Sequence, residues 1–224
     1  MIPLPPRLAA VARHVPPGRP FADIGTDHAY LPVHLVQSGR VPRAVAGDVR
    51  PGPLQAARAT VAAAGLTDRI DVRLGSGLTV LAPGEAACVA ICGMGGPLIA
   101  RILAEGPLTG VERLVLQPMG GEAQLRRWLA ESGWRLVAEE IVADGGRLYP
   151  VLVAEPGRMS LSRMEEEVGP LLLRRAARWS CATWTRSWSW PAGPWRARPA
   201  PTSRRRRSAR PSCPSWSSCW PGPG

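Results

Sequence analysis

Short apolar runs of buried-strand length alternate along this chain with longer stretches whose apolar positions recur at helical spacing. The first stretch predicts an amphipathic helix within residues 1–16, with Leu8, Val11, Ala12 and Val15 on one face and Pro16-Pro17-Gly18 ending it. Strand Phe21–Ile24, helix Ala29–Gln37, strand Ala44–Val49, helix Pro53–Ala64 and strand Ile70–Leu74 follow. Strand Ala87–Cys92, helix Gly96–Leu103, strand Arg113–Gln117 and helix Glu122–Glu131 continue the order. Two further apolar runs, Arg135–Ala143 and Arg147–Ala154, meet at Asp144-Gly145-Gly146, a hairpin signal. Parallel-type units closed by an antiparallel hairpin predict an α/β fold, a doubly wound Rossmann-like sheet with a reversed C-terminal edge.

Composition changes this picture little, and charge changes it only at one end. A chain of 224 residues suffices for one α/β domain and a small appendage. The net charge of +11 suggests a polyanionic partner until it is mapped. Residues 1–168 hold 17 Arg and all 17 acidic residues, whereas residues 169–224 hold 11 Arg and no acid. The body is balanced, and the whole excess lies in the tail. Five Cys without framework spacing argue against disulfides, and Cys88 and Cys92 sit in an apolar run where Cys acts as a small hydrophobe. His14, His28 and His34 do not complete a ligand set, so no metal is expected. No apolar run approaches the roughly 20 residues of a membrane span, and no signal-peptide core opens the chain. A cytoplasmic protein without membrane contact is the expectation.

The candidate chemistry lies where strands end, because open α/β sheets bind ligands outside the carboxyl ends of their strands. The first strand ends in Asp23-Ile-Gly25-Thr-Asp27-His28-Ala-Tyr30. Asp23 and Gly25 could meet a ligand, and Asp27, His28 and Tyr30 crowd proton-handling groups beside it. The second ends in Asp48, placed to take a ribose diol; the third in Gly75-Ser76-Gly77, suited to an adenine edge; the fourth in Gly93-Met94-Gly95-Gly96. Each has a bland reading: Asp caps helices, Gly-rich turns are often only turns, His28 can be structural and Tyr30 can pack. The first turn lacks the Gly-x-Gly-x-x-Gly run that a pyrophosphate-bearing dinucleotide wants. An adenosine cofactor without pyrophosphate, S-adenosyl-L-methionine, fits instead. Trp128 and Trp134 read as core.

Asp23 to Pro32, Gly52-Pro53-Leu54, Arg73 to Leu78, Gly93 to Gly96, Gln117-Pro118, Trp128-Leu129 and Val168-Gly169-Pro170 together resemble, in order and spacing, the bacterial tRNA (adenine-22-N1)-methyltransferase family. The resemblance covers about residues 4–175. It implies a class I methyltransferase fold, S-adenosyl-L-methionine as cofactor, tRNA as partner and methylation of N1 of an adenine. By matching position it implies that Arg7 holds the methionine carboxylate. Asp23 and Gly25 would line the methionine end, Asp48 the ribose, Ser76 and Gly77 the adenine, and Gly93, Met94 and Gly95 the floor between the ligands. For such a reaction the chemistry of the side chains suggests Asp27 to accept the exocyclic N6–H, His28 to help shed a proton and Tyr30 to stack on the base, as the catalytic residues. Two positions depart from the family: Ser76 stands where it usually has Asp, and Met119 where it usually has Asn.

The resemblance sets a methyltransferase domain over residues 1–158 and a C-terminal appendage over 159–224, helical in the family. After about residue 175 the composition turns to Trp, Arg, Pro and Ser, with seven of the nine Trp and no acid. Such a segment reads as disordered or as translated in a shifted frame. Reading one base earlier turns Trp184 to Pro191 into an acidic amphipathic segment, so we read a frame shift between roughly residues 174 and 183. A real Arg- and Trp-rich RNA-binding tail is the other reading. For the whole chain, a small-molecule methyltransferase and a non-catalytic tRNA-binding remnant are the alternatives to a tRNA-methylating enzyme.

Overall fold

The computed structural model describes the backbone of residues 1–183 and side chains to residue 176, which fall within one compact unit, Met1–Thr185. Its strands are β1 (Phe21–Ile24), β2 (Ala44–Asp48), β3 (Ile70–Leu74), β4 (Cys88–Met94), β5 (Arg113–Pro118), β6 (Trp134–Asp144) and β7 (Arg147–Pro156). Its helices are α1 (Pro6–His14), α2 (Tyr30–Gln37), α3 (Pro51–Ala63), α4 (Gly96–Glu105), α5 (Glu122–Glu131), α6 (Arg163–Val168) and α7 (Pro170–Thr183). The strands form one sheet in the order β3-β2-β1-β4-β5-β7-β6, with β1 to β5 parallel and both pairings of β7 antiparallel. This is the expected doubly wound sheet with its reversed edge.

Successive strand side chains point to opposite faces, so a sheet covered on both sides needs apolar residues at every position. β1 is buried at all four positions and apolar at three, Asp23 being the exception. Phe21, Ala46, Cys88 and Val115 pack with residues of α1, α2 and α3, such as Val11, Leu35 and Val61. Ala22, Val45, Val89 and Leu114 pack with residues of α4 and α5, such as Ile99 and Leu125. Trp134 is buried and Trp128 half-buried against this second cluster. Burial pushes the Cys88 thiol up to about 12, as expected of a cysteine that serves as a hydrophobe.

The first helix starts at Pro6 rather than at the chain's beginning, because Pro3 and Pro5 favour extended backbone and Pro is tolerated in a first helical turn. The turn at Asp144-Gly145-Gly146-Arg147 forms as anticipated, with φ of 55° and 76° at the two glycines, the mirror-image turn that suits strand twist. β5 pairs with β7 only over Leu114–Leu116, so the outer half of the hairpin runs past the last β5 rung on the side of the parallel strands' carboxyl ends. α1 lies against it: Arg13 and His14 both reach Glu140, at 3.2 and 3.1 Å.

The sequence pattern did not anticipate the 3-10 turn Gly77–Val80 or α6, which opens on a reciprocal cap between Ser162 and Glu165. Behind α6, the Arg126 guanidinium on α5 donates to Glu139 of β6 at 2.8 Å and to the carbonyls of Glu166 and Glu167. The other Glu139 carboxylate oxygen accepts from Leu171 N of α7 at 2.9 Å. α7 itself runs on to Thr183, past residue 175, where the helical period fades from the side-chain pattern but Ala and Arg keep a good helix propensity. The frame-shift reading otherwise concerns residues from 184 on, which lie outside the described residues.

Candidate active site

The carboxyl ends of β1, β2 and β4 and the turn after β3 open onto one cleft of about 850 Å³. That size suits a nucleoside-sized ligand with an acceptor beside it. Among the described residues, Arg7, Asp23, Gly25, Asp27, His28, Tyr30, Asp48, Ser76, Gly77, Gly93 and Met94 all line it. Gly95 does not. It caps α4, its carbonyl taking up the amides of Leu98 and Ile99.

Asp23 is buried, 5% exposed, and accepts one side-chain hydrogen bond, from Thr26 Oγ1 at 2.7 Å. Burial raises its carboxyl to about 6; the Thr26 bond pulls it back and the neighbouring Asp48 charge pushes it up again. Two residues on, Gly25 has φ of 76°, and a Cβ there would stand 2.1 Å from Met94 Cε. Glycine takes this left-handed turn without strain, and any side chain there would also displace the end of Met94.

Asp27 and Ala29 also take left-handed backbone, with φ of 55° and 57°. Such conformations are costly without glycine and persist where the surroundings hold them. Asp48 holds the first, one carboxylate oxygen accepting Asp27 N at 3.3 Å and the other Arg50 N at 2.9 Å, while Ala29 N donates to Thr26 O at 3.0 Å. Asp48 does not cap α3, whose N-cap is Arg50; it braces the turns on either side and lines the cleft, with lone pairs left for further donors. The bend sets His28 Nδ1 2.9 Å from Asp27 Oδ2 and stacks the His28 and Tyr30 rings 5.4 Å apart. All three side chains are exposed.

Arg7 reaches the cleft from α1. Its nearest partners are Gln117 Oε1 at 3.4 Å and Asp144 Oδ2 at 3.7 Å, with the Tyr149 ring beside it. Cys92 also lines the cleft, its thiol held far up by burial. Met119 is half-exposed and sends its sulfur toward the Gln117 amide at 3.6 Å.

Sequence reasoning missed Thr26, Val49, Leu98 and Ile102 as cleft residues. Thr26 follows Asp23 at the three-residue spacing of local side-chain hydrogen bonding, which was a usable signal. Val49 is 62% exposed just past a buried strand, an apolar face where a flat base could lie. Leu98 and Ile102 share a face of α4 by their four-residue spacing. Among the described residues no helix is long and apolar enough to cross a membrane, and no cluster of His, Cys, Asp and Glu could hold a metal ion.

The residues present suit an adenosyl amino acid: a buried carboxylate for a cation, a second carboxylate for a diol, and an arginine for a carboxylate. Comparison with known proteins agrees. Residues 4–152 match the family described as a methyltransferase domain. The chain is 46% identical over 153 residues to the Bacillus subtilis tRNA (adenine(22)-N(1))-methyltransferase, a match spanning 67% of this chain and 64% of that protein's length. The crystal structure of the B. subtilis m1A22 tRNA methyltransferase TrmK superposes with a TM-score of 0.75 at 38% identity, covering 81% of this chain and 83% of that one. M. capricolum TrmK, in complex with S-adenosyl-homocysteine, gives a TM-score of 0.67 at 27% identity over 77% of this chain and 81% of that one. A fold, a cleft and a set of relatives that all agree leave one assignment: the chain belongs to the bacterial tRNA (adenine-22-N1)-methyltransferase family.

Proposed function

We propose that the protein methylates N1 of an adenine of the position-22 type in tRNA, with S-adenosyl-L-methionine as methyl donor, in the cytoplasm. The observation that carries this reading is the gathering of Asp23, Asp48 and Arg7 in one cleft with Asp27, His28 and Tyr30 at its mouth. When bound, the cofactor supplies a methyl group on a cationic sulfur, a leaving group that needs no further activation. Asp23 in its charged form faces the cofactor's ammonium, and Arg7 its carboxylate. Asp48 accepts from the ribose hydroxyls, and Ser76 and Gly77 border the adenine. Ser76 replaces a carboxylate acceptor by a hydroxyl, which weakens this contact without abolishing it.

The chain's remaining task is to orient the acceptor base and stabilise the positive charge that grows on its ring as N1 attacks. Asp27 accepts the exocyclic N6–H as that charge develops. His28, whose Nδ1 stands 2.9 Å from Asp27 Oδ2, is positioned to take a proton afterwards, and Tyr30 offers an exposed ring to the base. Residues 1–158 would carry the chemistry, and the appendage from 159 would help grip tRNA. The test is transfer of label from S-adenosyl-L-methionine to unmodified tRNA, with the product base identified by mass spectrometry. N1-methyladenosine is the expected product, and Asp27→Asn should lower turnover by about 10²-fold. Near-normal turnover of that variant would remove Asp27 from the mechanism.

A further inference from the structure

Gln117 is fully buried and does not line the cleft, yet its side chain touches two residues that do. Its Oε1 accepts from Gly93 N at 3.2 Å and from Arg7 Nη1 at 3.4 Å. Its Nε2 donates to Pro118 O at 2.8 Å, which fixes which end of the amide faces Gly93 and Arg7. The need for this arrangement is visible in the sheet. β4 slips its register against β5 between Cys92 and Met94, and Gly93 sits at the slip with φ of 74°. A slipped residue loses its ladder partner, and its amide needs another acceptor. Gln117 supplies the missing acceptor from β5 and shares the same oxygen with an arginine brought in by α1.

We propose that Gln117 is a positioning residue for cofactor binding, setting the Gly93 turn and the Arg7 guanidinium in register through one amide oxygen. The proposal rests on the reading that Arg7 binds the cofactor's carboxylate. A neutral amide is what this position requires. It occupies one N–H of a guanidinium that has five, and leaves its charge and its other donors for a ligand. Asp144, the other acceptor beside Arg7, takes the Arg7 backbone N–H at 3.4 Å and lies 3.7 Å from Nε, so it ties the hairpin tip to α1 and leaves the guanidinium's other donors open. A carboxylate at 117 would form a buried ion pair with Arg7 and compete directly with the ligand.

The experiment is a double-mutant cycle in the full chain, with Arg7→Ala, Gln117→Met, Gln117→Glu and the combinations with Arg7→Ala. Affinity for S-adenosylhomocysteine is read by calorimetry, and KM and kcat by methyl transfer to tRNA. Circular dichroism and thermal midpoint establish that each variant is folded. Gln117→Met, which keeps the volume and loses the hydrogen bonds, should weaken binding about tenfold. Gln117→Glu should weaken it at least as much. Both should act on the cofactor KM, with kcat at saturation within about twofold of the parent. In the Arg7→Ala background the cost of either substitution should shrink to about twofold, because their common target is gone.

Affinity within twofold of the parent in both folded Gln117 variants, beside a weakened Arg7→Ala, would overturn the proposal while leaving the Arg7 reading intact. An unchanged cost in the Arg7→Ala background would overturn it too, as the mark of a merely structural residue. Parental affinity in Arg7→Ala itself would remove the reading of Arg7 on which the proposal stands.

Discussion

Asp23 and Glu139 are both carboxylates withdrawn from water, 5% and 1% exposed, and the molecule treats them in opposite ways. Glu139 is matched on both oxygens, by the Arg126 guanidinium and by Leu171 N, and its own carbonyl accepts from Arg175. The pair ties β6 and α5 to the start of α7, and nothing about it invites a ligand. Asp23 has one hydroxyl partner and a second carboxylate nearby, and it borders an open cleft. Burial without a counter-charge costs stability, and a group kept in that condition is one that a cationic ligand would complete. The difference separates a carboxylate that holds the fold from one that waits for a partner.

Removing a counter-ion tests this contrast most severely. Arg126→Ala leaves Glu139 buried and unmatched, and should lower unfolding free energy by about 3–5 kcal/mol in denaturant titration. A loss below about 1 kcal/mol would mean that Glu139 finds water or another donor, and the contrast would fail on its structural side.

Asp23→Asn should do the reverse. The folded pKa of Asp23 is raised from 3.8 to about 6, so its contribution to stability is fully present below pH 3.8 and is lost as pH rises through 6. The variant should therefore gain on the parent as pH rises from about 4 to 7, by up to roughly 3 kcal/mol, while binding the cofactor much more weakly. Stability curves that run parallel across that window would show that Asp23 is not held in the condition described.

The smallest effect is in the parent itself. A cationic ligand needs the ionised form, so affinity for S-adenosylhomocysteine should fall about fourfold between pH 8 and pH 5.5 as Asp23 takes up a proton. In Asp23→Asn this Asp23-dependent slope should vanish. A slope equal in both proteins would assign it to another group.

Much of the fold was legible from the periods alone, because strands buried on both faces are largely apolar and the Asp-Gly-Gly turn admits few alternatives. The candidate site was legible where one short segment carries it: Asp23, Gly25, Asp27, His28 and Tyr30 lie within eight residues, and all meet the cleft. Gly95 lies off the cleft lining because a Gly run at a strand end can serve a ligand or start a helix, and here its carbonyl starts α4. Gln117 was invisible as a positioning group. Its partners, Arg7 and Gly93, lie 110 and 24 residues away, and the slip in register that calls for it leaves no compositional trace. The Arg126–Glu139 pair was equally hidden, since nothing in a charged residue announces that it will be buried.

The bonds between α1 and the hairpin carry a consequence for how the protein is made. Asp27 and Asp48 are 21 positions apart and both belong to the first strand-helix-strand unit. Arg7 and Asp144 are 137 apart, and Arg13 and Glu140 are 127 apart. A chain emerging from the ribosome can thus shape the end of the cleft around Asp48 early, whereas the end that Arg7 serves stays open until nearly the whole sheet has been synthesised. The protein would acquire the Asp48 wall of its cleft first and close the opposite wall by bringing its oldest residues to its youngest strands.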